Sequence, residues 1–99
     1  MKIPISFKVG KRTIKVEKMV QRTIRSARGT FRRSVDLIHI AHERRGQARP
    51  GYEISEIFWH EAVHAILHDM GHPLWGHERF VTAFSKRLNQ LVHTAKLEK

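Results

Sequence analysis

Residues 54–75 read ISEIFWHEAVHAILHDMGHPLW, and this stretch decides most of what the sequence predicts. Within it, residues 60–64 give the pattern H-E-x-x-H. Positions i and i+4 lie on the same face of a helix, so the imidazoles of His60 and His64 can bind one zinc ion. Glu61 lies beside them, where it can take a proton from a water activated by zinc. The motif predicts a metal-dependent hydrolase, most often one that cuts peptide bonds.

The residues around the motif predict a helix of about 15 residues, close to the mean length in globular proteins. Ser55 suits the N-cap position, and Glu56 adds an acidic group to the first turn. Gly71 suits the position just after the helix, and Pro73 stops it. The alternative, a His-rich surface helix without metal, is disfavoured by an apolar set at spacings of three and four: Ile57, Phe58, Ala62, Ala65 and Ile66.

The composition restricts the kind of site that the chain can build. The 99 residues include no cysteine, which excludes disulfides, a thiol nucleophile and every cysteine-based zinc site. A zinc site must therefore use imidazole and carboxylate groups. This length predicts one domain over residues 1–99. No apolar run reaches membrane-spanning length and no signal-peptide core is present, so we expect a cytoplasmic protein without a membrane partner.

The positive charge is confined to the first half of the chain. Residues 1–50 hold 14 Lys and Arg against 3 Asp and Glu, a net charge of +11, whereas residues 51–99 have a net charge of −1. A basic half of this kind indicates a polyanionic partner, either nucleic acid or an acidic protein surface. A solvated face that aids solubility is the alternative, and no base-reading motif decides between them.

The basic half is predicted to be rich in strands. Residues 3–9 and 12–17 alternate apolar and polar side chains around a Gly10-Lys11 turn, which predicts a hairpin or two short strands. From residue 17 to 28 the apolar spacing changes to that of a short basic amphipathic helix. Residues 31–41 predict another strand.

The second half is predicted to be helical. Residues 43–51 predict a charged loop before the motif helix. Residues 77–96 predict a second helix, whose apolar stripe consists of Val81, Phe84, Leu88, Leu91 and Val92, with Phe80 beside it. Strands followed by two packed helices predict an α+β fold.

A catalytic zinc site needs a third protein ligand besides the two motif histidines. His68 is excluded as the third ligand. Side chains from three successive turns of one straight helix diverge too far to surround one ion. We favour Glu78, because it shares the apolar face of the second helix and a buried glutamate without a partner is costly. His77 is the main rival and His72 another. The alternative is that Glu78 binds no metal and only stabilises the helix dipole as an acidic residue at the N-terminus of the helix.

The residues H-E-A-V-H-A-I-L at 60–67, then Gly71, then Glu78 at the start of an apolar helix, resemble the gluzincin type of zincin metallopeptidase. Small single-domain proteins with this pattern are often encoded by bacteriophages and prophages, which would place the chain in the host-cell cytoplasm. The resemblance covers about the last 55 residues. It implies a minimal zincin fold, in which a short, mostly antiparallel sheet with an edge strand along the cleft packs on the motif helix and a C-terminal helix.

The resemblance also implies the roles of the site residues. His60, His64 and Glu78 correspond to the zinc ligands and Glu61 to the catalytic base. Leu67 and Met70 replace the glycine and the last histidine of the metzincin pattern, which excludes that group. The interval from His64 to Glu78 is shorter than in large gluzincins such as thermolysin, so a helical subdomain is missing.

These predictions combine into a peptidase hypothesis. An extended peptide or protein substrate is expected to add to the strand over residues 35–41. Tyr52, His68 and His72 are candidates for the oxyanion donor. The alternative hypothesis is a basic nucleic-acid-binding or regulatory module, in which the metal site is structural or inactive.

Overall fold

The computed structural model describes residues 2–20 and 28–98 and has an α+β architecture. Its five strands are β1 (Ser6–Val9), β2 (Arg12–Val20), β3 (Gly29–Arg32), β4 (Leu37–Arg44) and β5 (Gln47–Ala48). Two helices follow, α1 (Gly51–Asp69) and α2 (Glu78–Thr94). The predicted α+β fold class is therefore confirmed.

The five strands form one mixed sheet with β4 in its interior. The order is β1-β2-β4-β3, and β5 pairs with β4 beside this path. Only β2 and β4 run parallel, whereas the other three pairs are antiparallel. The single strand predicted over residues 31–41 is wrong, because a turn separates β3 from β4. In this turn Asp36 has φ +51°, which aspartate tolerates better than most residues, and its carboxylate pairs with Arg12.

Two other local predictions are wrong within the described residues. The helix expected from residue 17 does not begin there, since β2 continues to Val20 and stays paired with β4. Long-range strand pairing outweighs the local spacing of apolar residues here. The remainder of that predicted helix, residues 21–27, lies outside the described residues. The loop expected over residues 43–51 holds the end of β4, all of β5 and the start of α1.

The hydrophobic core lies between one face of the sheet and α1. It comprises Ile14 and Val16 from β2, Ile38 and Ile40 from β4, and Ile57, Phe58 and Ala62 from α1. The strand residues alternate along their strands, while the helix residues recur at the spacing of one helix face. Burying each larger side chain contributes about 1.5–3 kcal/mol, so this contact holds α1 in place on the sheet.

Helix α1 begins before the predicted N-cap. It starts at Gly51 after Pro50, and no side chain caps it. Ser55 is instead fully buried within the helix, where its hydroxyl lies 2.9 Å from Oδ1 of Asn89 in α2. Gly71 follows the helix with φ +64°, a conformation that glycine adopts without strain, as predicted.

Helix α2 packs on α1 through a face that is partly polar. Its buried residues are Val81, Ser85 and Asn89. The predicted apolar stripe is therefore wrong in part, because Phe84 and Leu91 are 50% and 60% exposed. The polar residues take the buried face because they find hydrogen-bond partners there, such as Ser55. Within the described residues, neither helix has the length and apolar character needed to cross a membrane.

Candidate metal centre

His60 and His64 present their ring nitrogens to the same point on the surface of α1. They occupy successive turns of the helix, and their ring centroids are 4.9 Å apart. The two Nε2 atoms are separated by 3.3 Å. Two imidazole nitrogens this close, in a helix fixed by its apolar face, can supply two ligands to one metal ion.

Glu78 completes the group from the start of α2. One carboxylate oxygen lies 3.1 Å from Nε2 of His60, and the other lies 2.8 Å from Nε2 of His64. The segment of residues 70–77 reverses the chain between the two helices and so places the first residue of α2 over the motif. The side chain of Glu78 is 70% exposed. The expectation that it is buried is therefore wrong, although its position beside both histidines agrees with the favoured assignment.

The two rival ligands have other contacts. Nδ1 of His77 accepts a hydrogen bond from the backbone N–H of Phe80 and so caps α2. Nδ1 of His72 accepts a hydrogen bond from the N–H of Leu74 within the turn. Among the described residues, the group of three that could hold one metal ion is His60, His64 and Glu78.

A backbone carbonyl sets the orientation of His64. Nδ1–H of this residue donates to the carbonyl oxygen of Trp75 at 2.6 Å. This bond places the proton on Nδ1 and leaves the lone pair of Nε2 directed at Glu78 and His60. Metal-binding histidines commonly have such a hydrogen bond on the other ring nitrogen. His64 is buried, so the surrounding structure holds this geometry.

The spacing of the three side chains fits a zinc ion. Ligand atoms about 2.0–2.1 Å from a tetrahedral zinc lie about 3.3 Å from one another. The observed separations are 2.8, 3.1 and 3.3 Å. The donor set of two imidazoles and one carboxylate also suits zinc. Without an ion, the 3.1 Å separation also fits a hydrogen bond in which Nε2–H of His60 donates to the carboxylate of Glu78, so metal analysis separates the two descriptions.

Comparison with known proteins gives no relative. No family model, curated protein or solved structure matches the chain. The resemblance to gluzincin peptidases therefore remains an expectation carried by the few positions of the motif, and a functional assignment depends on the chemistry of these residues.

Glu61 is a buried carboxylate next to the three ligands. It is 7% exposed, and its pKa is raised to about 7 by burial and, to a smaller extent, by the negative charge of Glu78. Burial also lowers the pKa of His60, against the opposing effect of Glu78. Both shifts favour neutral side chains in the metal-free site. A neutral imidazole is the form that binds a metal.

The metal centre opens into a pocket of about 340 Å³. Its lining consists of Arg28, Gly29, Ile57, His60, Glu61, Glu78 and Thr82. The three predicted oxyanion donors do not line this pocket. Tyr52, at the start of α1, packs against His93 near the end of α2 with the two rings tilted, and His68 packs against Phe31 and Trp75. His72 lies in the turn before α2.

The sequence analysis missed three residues of this pocket, Arg28, Gly29 and Thr82. Arg28 immediately precedes β3, and its positive charge acts against the upward shift of the pKa of Glu61. Gly29 allows β3 to approach α1 closely. A Cβ atom at this position would lie 2.7 Å from Cγ2 of Ile57 and 3.2 Å from Cγ of Glu61. A glycine ending a basic segment carries no local signal of such a contact.

Proposed function

We propose that this chain is a zinc-dependent metallopeptidase. The observation that carries the proposal is the convergence of His60, His64 and Glu78 beside a pocket that is lined by His60, Glu78 and Glu61. Structural zinc sites usually have four protein ligands, whereas catalytic sites have three and leave one position open. The exposure of Glu78 leaves the solvent side of the group accessible to water and substrate.

The proposed chemistry divides between the ligands and the buried carboxylate. Zinc held by His60, His64 and Glu78 would lower the pKa of a water molecule and polarise the substrate carbonyl. Glu61 accepts the proton from the attacking water and later donates it to the leaving amine. A carboxyl group with its pKa raised towards neutrality is suited to both transfers.

We assign substrate binding to the free edge of β3. The sequence alone predicts that the substrate adds to residues 35–41. Most of that segment belongs to β4, whose two edges are already paired. The N–H of Ala41 donates to the carbonyl of Arg28, so by alternation the backbone groups of Gly29 and Phe31 point away from β4. Among the described residues, no strand pairs with this edge. An extended peptide can therefore add there as a further strand.

Arg28 supplies the positive charge on the substrate side of the pocket. Its guanidinium lies 3.8 Å from Glu53, which keeps the side chain close to α1. It is the cationic side chain among the residues that line the pocket. We assign it to stabilising the negative charge that develops on the carbonyl oxygen of the substrate.

The test measures zinc and hydrolysis in the same samples. The protein is purified without added metal, and zinc is counted by elemental mass spectrometry. Hydrolysis is followed by mass spectrometry on a mixture of unstructured peptides. We expect about one zinc per chain, and cleavage that Glu61→Gln lowers by at least about 100-fold while zinc remains bound.

Glu56→Gln is the matched control, because Glu56 lies on the same helix and does not line the pocket. This variant should keep both zinc and cleavage. Wild-type protein that takes up no zinc on titration, or a Glu61→Gln variant with full activity, would overturn the proposal.

A further inference from the structure

The face of the sheet turned away from α1 carries a set of cationic and hydroxyl side chains. Strand register places Ser6, Lys15, Leu37 and Arg32 in one row across four strands. Lys8 pairs with Thr13 in the next row, and Thr30 lies two residues before Arg32 on the same face. We call this the cationic face, defined by Lys8, Lys15 and Arg32 with the hydroxyls of Ser6, Thr13 and Thr30.

The three cations of this face have no acidic partner. All three side chains are exposed, and no carboxylate of the described residues lies within 4.0 Å of them. Other arginines of the basic half are engaged, since Arg12 pairs with Asp36 and Arg33 lies over the ring of Trp75. Three of the unpaired positive charges among the described residues therefore lie together on the cationic face.

The acidic residues of the sheet do not neutralise this face. Glu17 lies on this face in the same row as Thr30, where it faces His39 at 3.6 Å, so one carboxylate is present against three cations. A surface with several unpaired cations creates a positive potential that attracts polyanions.

We infer that the cationic face binds the phosphate backbone of nucleic acid without sequence preference. Lysine, arginine and the hydroxyls of serine and threonine are the side chains that contact phosphate oxygens. The residues that define this face include no aromatic ring on which a base could stack, so sequence-dependent contacts are not expected. The pattern of hydroxyls between spaced cations favours a chain of phosphates over an apolar or membrane partner.

This inference is independent of the peptidase proposal. Helix α1, which carries His60, Glu61 and His64, packs on the opposite face of the sheet. Nucleic acid on the cationic face and peptide at the metal centre therefore occupy different sides of the molecule. A failure of one proposal leaves the other intact.

The test is the salt dependence of binding to a fluorescently labelled 20-nucleotide single-stranded DNA, followed by anisotropy between 50 and 200 mM KCl. The test variant is Lys8→Gln/Lys15→Gln/Arg32→Gln in the full chain. Removing three phosphate contacts should reduce the slope of log K against log salt by about 2. The affinity at 100 mM KCl should fall by at least about tenfold.

The control variant, Lys86→Gln/Arg87→Gln/Lys96→Gln, removes the same charge from α2 and the segment after it. It should keep most of the wild-type slope. The inference is overturned if the wild-type protein does not bind at 50 mM KCl, or if both triple variants lose the same slope. It is also overturned if vesicles containing phosphatidylserine bind the protein more tightly than the DNA does. Circular dichroism spectra and zinc content should be unchanged in both variants.

Discussion

The sheet half and the helical half of this molecule differ in charge and in the chemistry that they carry. Residues 1–50 hold a net charge of +11, and Lys8, Lys15 and Arg32 carry part of it on the outer face of the sheet. The helical half is close to neutral and supplies His60, His64, Glu78 and Glu61. The comparison indicates that the two proposals rest on different residues, which lie on opposite faces of the sheet.

The sheet half and the helical half are in contact where β3 packs against α1. Gly29 touches the helix at Ile57 and Glu61, and Arg28 lines the pocket of the metal centre. The sheet half therefore contributes the edge strand and one positive charge to a pocket whose candidate metal ligands all come from the helices. Substitutions in each half test whether metal binding and catalysis depend on residues of the helical half alone.

The largest effect is expected from the ligand of α2. Glu78→Ala should weaken zinc binding by more than about 100-fold, because structural sites bind zinc with about 10–16 kcal/mol shared among four ligands. Competition with a chromogenic chelator measures the affinity. The folded state should persist, since the side chain of Glu78 is largely exposed.

His77→Gln serves as the matched comparison for Glu78→Ala. It alters the N-cap of α2 and should cost stability while leaving zinc affinity nearly unchanged. A larger loss of zinc affinity in His77→Gln than in Glu78→Ala would transfer the ligand role to His77.

The second prediction concerns the contact between the two halves. Gly29→Ala places a methyl group 2.7 Å from Ile57, so β3 or the helix must shift. We expect a loss of about 1–3 kcal/mol in the free energy of unfolding, typical of overpacking. Urea denaturation followed by circular dichroism measures it.

Gly51→Ala is the control for this substitution, because nothing lies within 4 Å of the added methyl group. It should leave stability unchanged or raise it slightly, as alanine favours the helix. If Gly29→Ala were as stable as Gly51→Ala, β3 would not be packed against the metal centre as described.

The fold was predictable where local pattern and tertiary contact agree. The apolar set of the motif helix forms the core as expected for Ile57, Phe58 and Ala62. The prediction failed where pairing between distant residues decides the structure. Local spacing near residue 17 is helical, but pairing with β4 keeps Met19 and Val20 in a strand.

The stripe of α2 failed for a related reason. Asn89 and Ser85 are polar, so a hydropathy pattern assigns them to solvent. In the folded chain Asn89 is fully buried, and its side-chain oxygen lies 2.9 Å from the hydroxyl of Ser55. A buried polar pair of this kind is stable only because both members are present, which no local pattern reveals.

The metal centre was predictable to a different degree for each residue. His60, Glu61 and His64 share one short motif on one helix, so their proximity follows from helix geometry. The choice of Glu78 depended on how α2 packs. The structure places Glu78 beside both histidines, whereas the expectation that its side chain is buried is wrong. Arg28 and Gly29 reach the pocket only through the strand order of the sheet.

The smallest expected effect tests the charge that the sheet half contributes to the pocket. Arg28→Ala should lower kcat/KM for peptide cleavage by about tenfold, less than the loss of a fully buried oxyanion donor, because a half-exposed guanidinium is screened by water. Zinc content should not change, since Arg28 is not a ligand. Arg44→Ala removes the same charge from the exposed end of β4 and is the control. If the two variants retained equal activity, Arg28 would make no contribution to catalysis. Peptide cleavage would then depend on residues of the helical half alone. A loss confined to Arg28→Ala that shrinks as KCl is raised would instead indicate that the sheet half acts on the substrate by electrostatics.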